Sequence, residues 1–186
     1  MKGAIVYYSL TGNTLLACKH IQSKLSCIKL DLLNMLECNI ETLSDYDVIG
    51  FAFFTDSWQP PKIFTEYIEH IESPANKYTF IFNTYGCISG KSISTVYRLL
   101  HKKGMKIIAT HSLHTPENYP PMIATGKGYE QYPKDTDIKT FQNFIQKLDD
   151  SFRMLENGGE VVEAKSQIGL LNRILPSSPN VFTRFL

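Results

Sequence analysis

Residues 9–14, Ser-Leu-Thr-Gly-Asn-Thr, gather hydroxyl and amide side chains around one glycine directly after an apolar run. Apolar residues at 16, 17, 21 and 25 then recur at helical spacing. Hydroxyl and backbone N–H groups at the start of a helix bind phosphate well, because the helix dipole is positive there. A helix cap alone needs only one such side chain. The residues predicted to bind a phosphate group are Ser9, Leu10, Thr11, Gly12, Asn13 and Thr14.

A second polar segment follows the apolar run Val48–Phe54 and ends at Pro60-Pro61. It contains the only tryptophan of the chain. A tryptophan in a polar loop after a strand can stack on a flat, apolar ligand. The ligand contacts predicted in this segment are Thr55, Asp56, Ser57 and Trp58.

A third segment, residues 83–92, contains two glycines followed by Lys91 and Ser92. It looks like the phosphate loop of ATPases, but that motif has four residues between its glycines and this segment has three. We therefore reject an ATPase. Instead, a glycine here allows backbone amides to approach a ligand, and a tyrosine beside it offers a stacking face. The predicted contacts are Asn83, Thr84, Tyr85, Gly86 and Gly90.

The histidines and cysteines do not form a recognisable metal site or nucleophile motif. The five histidines show no HxxxH spacing, the four cysteines form no CxxC pair, and no GxSxG turn is present. We predict no metal and no catalytic side chain, and interpret His114 as an ordinary loop residue. Scattered cysteines favour a reducing, cytoplasmic setting.

Strands and helices alternate along the chain, which positions these segments. Apolar patterns predict strands at 2–8, 27–32, 48–54, 78–83 and 105–113, and helices at 13–25, 63–71, 93–103 and 137–157. Such alternation implies right-handed crossovers and an α/β doubly wound parallel sheet in three layers. Open parallel sheets bind ligands at the carboxyl ends of their strands, where all three segments lie.

The hexapeptide at 9–14 after an apolar strand resembles the phosphate-binding loop of flavodoxins, which bind FMN. The order of elements agrees over about residues 2–156. Pro60-Pro61 and the segment 116–119, Pro-Glu-Asn-Tyr, are most like the flavodoxin domain of flavodoxin–ferredoxin fusion proteins, although the Cys-rich ferredoxin clusters do not occur in this sequence. The resemblance implies a flavodoxin-like sheet in the order 2-1-3-4-5, FMN as cofactor, and Asn118 and Tyr119 as further contacts. It also implies redox partner proteins, either a reductase or a ferredoxin-type donor or acceptor.

The composition is that of one globular domain. The 186 residues are 43% hydrophobic, and the net charge of +1 gives no electrostatic basis for nucleic-acid binding. The longest apolar run has seven residues, which predicts no membrane span. We predict a flavodoxin-like FMN-binding domain at 1–157 and a tail or linker at 158–186, with an apolar set at Ile168, Leu171, Ile174 and Leu175.

Three functions remain open at this point. The first is FMN-dependent electron transfer. The second is an FMN-dependent reductase of a small molecule, such as a quinone or a tetrapyrrole precursor, in which the polar loop at 114–136 would cover the substrate. The third is a flavodoxin-like interaction module without a cofactor.

Overall fold

A computed structural model describes residues 1–72 and 76–165, and the apolar set predicted in the tail lies outside these ranges. The strands are β1 (Gly3–Tyr7), β2 (Leu30–Asn34), β3 (Val48–Phe54), β4 (Tyr78–Tyr85) and β5 (Lys106–His114). The helices are α1 (Asn13–Lys24), α2 (Lys62–His70), α3 (Ser92–Lys102), α4 (Pro120–Ala124) and α5 (Asp135–Glu156), with a 3₁₀ helix at Ile40–Asp45.

The five strands form one sheet in the order β2-β1-β3-β4-β5, and every pair is parallel. The predicted fold class and strand order are thus confirmed. The central strands are buried on both faces, which explains why their sequences are nearly unbroken apolar runs. One core lies between the sheet and α1 and α5, and a second lies between the sheet and α2, α3 and the 3₁₀ helix.

Two predicted elements differ from the structure. β2 begins at Leu30 rather than at residue 27, because the backbone N–H groups of Ser26 and Cys27 donate to the Asp149 carboxylate instead of a neighbouring strand. The predicted loop at 114–136 contains the short helix α4, which begins with two prolines at positions that tolerate a missing N–H.

None of the helices within the described ranges is long and apolar enough to cross a membrane. The same residues contain no cluster of three or more His, Cys, Asp or Glu side chains that could hold a metal ion.

The chain that follows α5 crosses the outer edge of β5. The N–H of Ala164 donates to the carbonyl oxygen of Ile107 at 2.7 Å, and the Tyr97 hydroxyl donates to the Ala164 carbonyl at 2.9 Å. Val161 packs on the first core and Ala164 on the second. This crossing covers part of an edge strand that would otherwise offer unpaired backbone groups. The division into a domain at 1–157 and a tail at 158–186 stays a prediction.

The Asp149 carboxylate of α5 holds the connection between α1 and β2. It accepts hydrogen bonds from the backbone N–H and hydroxyl of Ser26, both at 2.7 Å, from Cys27, and from the Arg153 guanidinium at 3.0 Å. Burial acts to raise the pKa of Asp149, but the donors of Ser26 and Cys27 outweigh it and hold that pKa well below its usual range. The ionised form is therefore the one that the fold requires.

Replacing this carboxylate tests its contribution to stability. Asp149→Asn should lower the free energy of unfolding near neutral pH by about 2 kcal/mol, because several donors lose a charged acceptor. The matched control is Asp150→Asn, at the exposed next position of the same helix, where a change within about 0.5 kcal/mol is expected. Chemical denaturation measures both. Equal effects would show that the carboxylate of Asp149 adds nothing specific.

His111 lies in the first core among phenylalanine rings. Its ring centroid is 5.2 Å from that of Phe144 and 5.6 Å from that of Phe141, and its buried Nε2 has no hydrogen-bond partner. Burial lowers the pKa of His111 to about 4, with a small opposing effect from Asp137. The folded state therefore holds this ring in its neutral form.

This histidine makes the stability of the fold depend on pH. The unfolded chain binds the proton more readily than the folded one. The contribution of the neutral His111 ring to the free energy of unfolding is therefore complete above about pH 6.5 and is lost as the pH falls towards 4. The free energy of unfolding should fall by up to about 1.4 kcal/mol per pH unit and by about 3 kcal/mol in total. His111→Leu should remove this dependence in urea unfolding measured across that window. Parallel pH profiles for the two proteins would contradict the assignment.

Candidate functional site

Four loops meet at the carboxyl edge of the sheet. Loop 1 (residues 8–12) follows β1, loop 2 (55–61) follows β3, loop 3 (86–91) follows β4, and loop 4 (115–134) follows β5. Hydrogen bonds join loop 1 to loop 4, loop 2 to loop 3, and loop 3 to loop 4. The predicted site residues thus lie in, or directly beside, one connected group of loops.

Loop 1 leads into the N-terminus of α1 through Gly12, whose φ of 96° is in the left-handed region. No side chain at that N-cap position caps the helix, and its first turn carries no acidic residue. Ser9 Oγ accepts from the N–H of Leu15 at 3.3 Å. Thr11 and Gly12 are exposed, and the space beside the Gly12 Cα is open. This helix start can therefore receive an anion.

Three side chains of the hexapeptide contact neighbouring parts of the edge. The Thr14 hydroxyl is buried and lies 2.8 Å from the Thr84 hydroxyl at the end of β4. Asn13 Nδ2 donates to the Pro116 carbonyl at 3.4 Å, and Asn118 Nδ2 donates to Thr11 Oγ1 at 2.7 Å. Loop 4 is thereby fixed beside loop 1, which brings Asn118 to the predicted phosphate site.

Loop 2 begins with a tight turn that carries Trp58. Asp56 and Gln59 exchange backbone hydrogen bonds of 2.8 and 2.9 Å. Between them, Ser57 and Trp58 have φ angles of 48° and 67°. Two left-handed residues identify a type I′ turn, which glycine and asparagine favour over residues with larger side chains. The turn therefore depends on its surroundings.

Loop 3 and the first turn of α3 supply those surroundings. The N–H of Lys91 donates to the Trp58 carbonyl at 2.8 Å, and Thr95 Oγ1 donates to Gln59 Oε1 at 3.1 Å. A Cβ on Gly90, which has a φ of 58°, would overlap the backbone of Trp58. Gly90 thus packs against loop 2, and its predicted contact with a ligand stays a prediction.

The start of α3 differs from the phosphate loop of an ATPase in a way that supports rejecting that function. Ser92 is fully buried, and its hydroxyl accepts from Thr55 Oγ1 at 2.9 Å. The serine or threonine at that position of an ATPase must instead face magnesium.

Asn83 and Thr84 lie beneath the loops rather than on them. Asn83 is 0% exposed and Thr84 is 2% exposed, and protein atoms satisfy both side chains. Their predicted contact with a cofactor stays a prediction. The structure shows that they connect the ends of strands and loops.

A stack of three rings at the end of β5 was not predicted. The ring of His114 lies between those of Tyr85 and Tyr132, at centroid distances of 4.8 and 3.5 Å. Its Nε2 is buried without a partner, and burial lowers the pKa of His114. The stack anchors the end of loop 4 and occupies one face of Tyr85. Among the other predicted ring contacts, Trp58 is half-buried and Tyr119 is 61% exposed.

Glu117 is a further residue that sequence reasoning missed. Its carboxyl group packs on Gly86, where a Cβ would overlap it. Oε1 accepts from the N–H groups of Asn118 and Tyr119 at 2.9 and 3.1 Å. The N–H of Glu117 donates to the Gly128 carbonyl at 2.8 Å, which closes loop 4 on itself. A carboxylate therefore lies where we expected only the Gly86 backbone.

Comparison with solved structures identifies the architecture. A flavodoxin from the domain Archaea aligns over 82% of this chain and 99% of its own, with a TM-score of 0.62 and 14% identity. The two-electron reduced flavodoxin of Megasphaera elsdenii aligns over 69% of this chain and 98% of its own, with a TM-score of 0.55 and 22% identity. This chain has the flavodoxin fold.

The same fold occurs within a larger protein. Rubredoxin oxygen:oxidoreductase from the anaerobe Desulfovibrio gigas aligns over 82% of this chain and 36% of its own, with a TM-score of 0.62 and 16% identity. No protein-family model matches the sequence, and no curated protein matches it. The closer resemblance to the flavodoxin domain of fusion proteins stays a prediction.

Gly90→Ala tests the packing of loop 3 on loop 2. The substitution should lower the free energy of unfolding by about 2 kcal/mol more than Gly126→Ala, because only Gly90 faces backbone that must move. Gly126 is the matched control, since its φ of 73° imposes similar strain but its Cβ would meet nothing within 4 Å. Urea denaturation of the two variants measures the difference, and equal losses would indicate backbone strain alone.

Proposed function

We propose that this chain binds FMN and transfers electrons between redox proteins. The observation that carries the proposal is the open N-terminus of α1, with exposed hydroxyl and glycine positions and no acid in its first turn. This set of donors fits a terminal phosphate. The flavodoxin fold of the chain and the flavodoxins among its structural neighbours support the proposal.

In this proposal different loops contact different parts of FMN. Ser9, Thr11 and the backbone N–H groups of loop 1 would hold the phosphate. Trp58 and Tyr119 would offer rings to the flavin, which accepts and releases electrons when bound. The Glu117 carboxylate, which packs on Gly86, would add negative charge at this edge. That charge would oppose the gain of negative charge by a flavin that accepts electrons there.

FMN fits loop 1 better than a dinucleotide does. Loop 1 has one glycine and a compact group of hydroxyls, whereas the GxGxxG turn that accommodates a pyrophosphate is missing from it. We therefore propose a preference for FMN over FAD.

The proposed partners are redox proteins that dock at the same edge. Exposed apolar side chains belong to three of the four loops, namely Leu10, Ile88, Tyr119 and Ile123. A net charge of +1 provides little long-range attraction, so docking would depend on apolar contact.

One observation keeps a reductase of small molecules as a second candidate. His114 has a buried, unpartnered Nε2 at the edge where a substrate would meet the flavin. Tyr132 of loop 4 stacks on the His114 ring and holds the loop over it. Turnover with a reductant and a quinone, without a protein partner, would favour this candidate.

The absorption spectrum of the purified protein, with identification of the released chromophore, tests the main proposal. A colourless protein that stays colourless after FMN is added would contradict it. Quenching of Trp58 fluorescence during titration would give the dissociation constant.

Substitutions in loop 1 test where the phosphate binds. Thr11→Ala and Asn13→Ala should each weaken FMN binding by about 1–3 kcal/mol, since a polar partner is left unpaired. Thr125→Ala is the matched control, because its hydroxyl donates to the Met122 carbonyl at 2.9 Å in an exposed part of loop 4. Fluorescence titration compares the three variants. Unchanged affinity in both loop 1 variants would mean that the phosphate binds elsewhere.

A further inference from the structure

The side-chain amide of Asn83 joins three segments of the carboxyl edge. Its nitrogen donates to Thr55 Oγ1 in loop 2 at 2.6 Å and to Ser89 Oγ in loop 3 at 3.4 Å. Its oxygen accepts from the Ser112 hydroxyl in β5. Asn83 itself is fully buried. One amide therefore connects segments that follow, or belong to, three different strands.

The partners of Asn83 are also bonded to one another. Thr55 Oγ1 donates to the buried Ser92 Oγ at 2.9 Å, and the hydroxyls of Ser89 and Ser112 lie 3.1 Å apart. Asn83 and Ser92 are buried, and Thr55, Ser89 and Ser112 are half-buried. A network of this kind is rigid when every member is satisfied, and leaving one of its buried groups unpaired is costly. Loss of the amide would therefore affect both loops.

The chemistry of the amide group matches this position. Asparagine supplies two N–H donors and a carbonyl acceptor from one short side chain. Aspartate has the same shape but no donors when ionised, and leucine has neither donors nor acceptors. Among residues of this size, only asparagine offers two N–H donors together with an acceptor.

We propose that Asn83 is a positioning residue that holds loop 2 against loop 3 and thereby fixes Trp58. The side-chain amide of Asn83 donates to Thr55 in loop 2 and to Ser89 in loop 3. The backbone N–H of Lys91 in loop 3 donates to the Trp58 carbonyl in loop 2. The two loops are thus held together just before the turn, at Thr55, and within it, at Trp58. The effect on FMN rests on the proposed function, whereas the effect on Trp58 does not.

Asn83→Leu tests the proposal, with two readouts that need no activity. In the protein without FMN, the fluorescence of Trp58, the only tryptophan, should shift to the red and become more accessible to acrylamide. With FMN, the dissociation constant should rise about tenfold or more, and the midpoint potential of the bound flavin should change.

Thr79→Val is the matched control. Thr79 is fully buried in the same strand, and its hydroxyl donates to the Ile49 carbonyl at 2.5 Å, towards the opposite end of β4. The control should melt at a lower temperature while it retains the wild-type emission, FMN affinity and potential. A merely structural role for Asn83 would give the same result for Asn83→Leu.

Ser112→Ala keeps the test decisive if Asn83→Leu does not fold. It removes the donor to the Asn83 oxygen and should produce smaller changes in the same directions. Wild-type emission in every folded variant would overturn the proposal. Shifted emission with unchanged FMN affinity and potential would support the positioning of Trp58 by Asn83 and would contradict a contact of Trp58 with the flavin. If the wild-type protein binds no FMN, the proposed function fails, and the emission of Trp58 alone then decides whether Asn83 positions the loop.

Discussion

Burial of the central strands on both faces is the constraint on which the rest of the structure depends. Helices enclose β1 and β3, and β4 is buried at every residue except its first and last. Strands in this setting carry few polar side chains until they end. Parallel pairing then brings the ends of four loop-bearing strands to one edge. The gathering of hydroxyls, amides and aromatic rings at that edge follows from how the core is built.

Apolar spacing reflects burial directly, which is why the strands and most helices could be predicted. The strand order was predicted from the resemblance to flavodoxins. The prediction for β3 agrees with Val48–Phe54 at both ends. The start of β2 was predicted three residues too early, because it depends on a hydrogen bond from Ser26 to Asp149, 123 residues away. The fold of loop 4 likewise depends on rings stacked against His114. Contacts over such separations leave no local pattern in the sequence.

In the candidate site, residue types were predictable but individual roles were not. The glycine and hydroxyls of loop 1 lie at an open helix start, as their pattern predicts. Asn83 and Gly90, predicted from the same kind of pattern, contact other loops, and their contact with a ligand stays a prediction. Polar residues at the ends of strands can bind a ligand or bind a neighbouring loop. Burial distinguishes these two roles, and a single sequence does not record it.

The turn at Ser57 and Trp58 connects the energetics of the fold to its proposed use. Left-handed backbone at residues with side chains costs on the order of 1 kcal/mol each and persists only where surrounding contacts hold it. Here the contacts come from Lys91, Gly90 and the network around Asn83. Because the protein itself maintains the turn, Trp58 is in position before any ligand arrives. Binding of a ligand that stacks on Trp58 therefore does not include the entropic cost of ordering the loop. Rigid sites gain affinity because they avoid this cost.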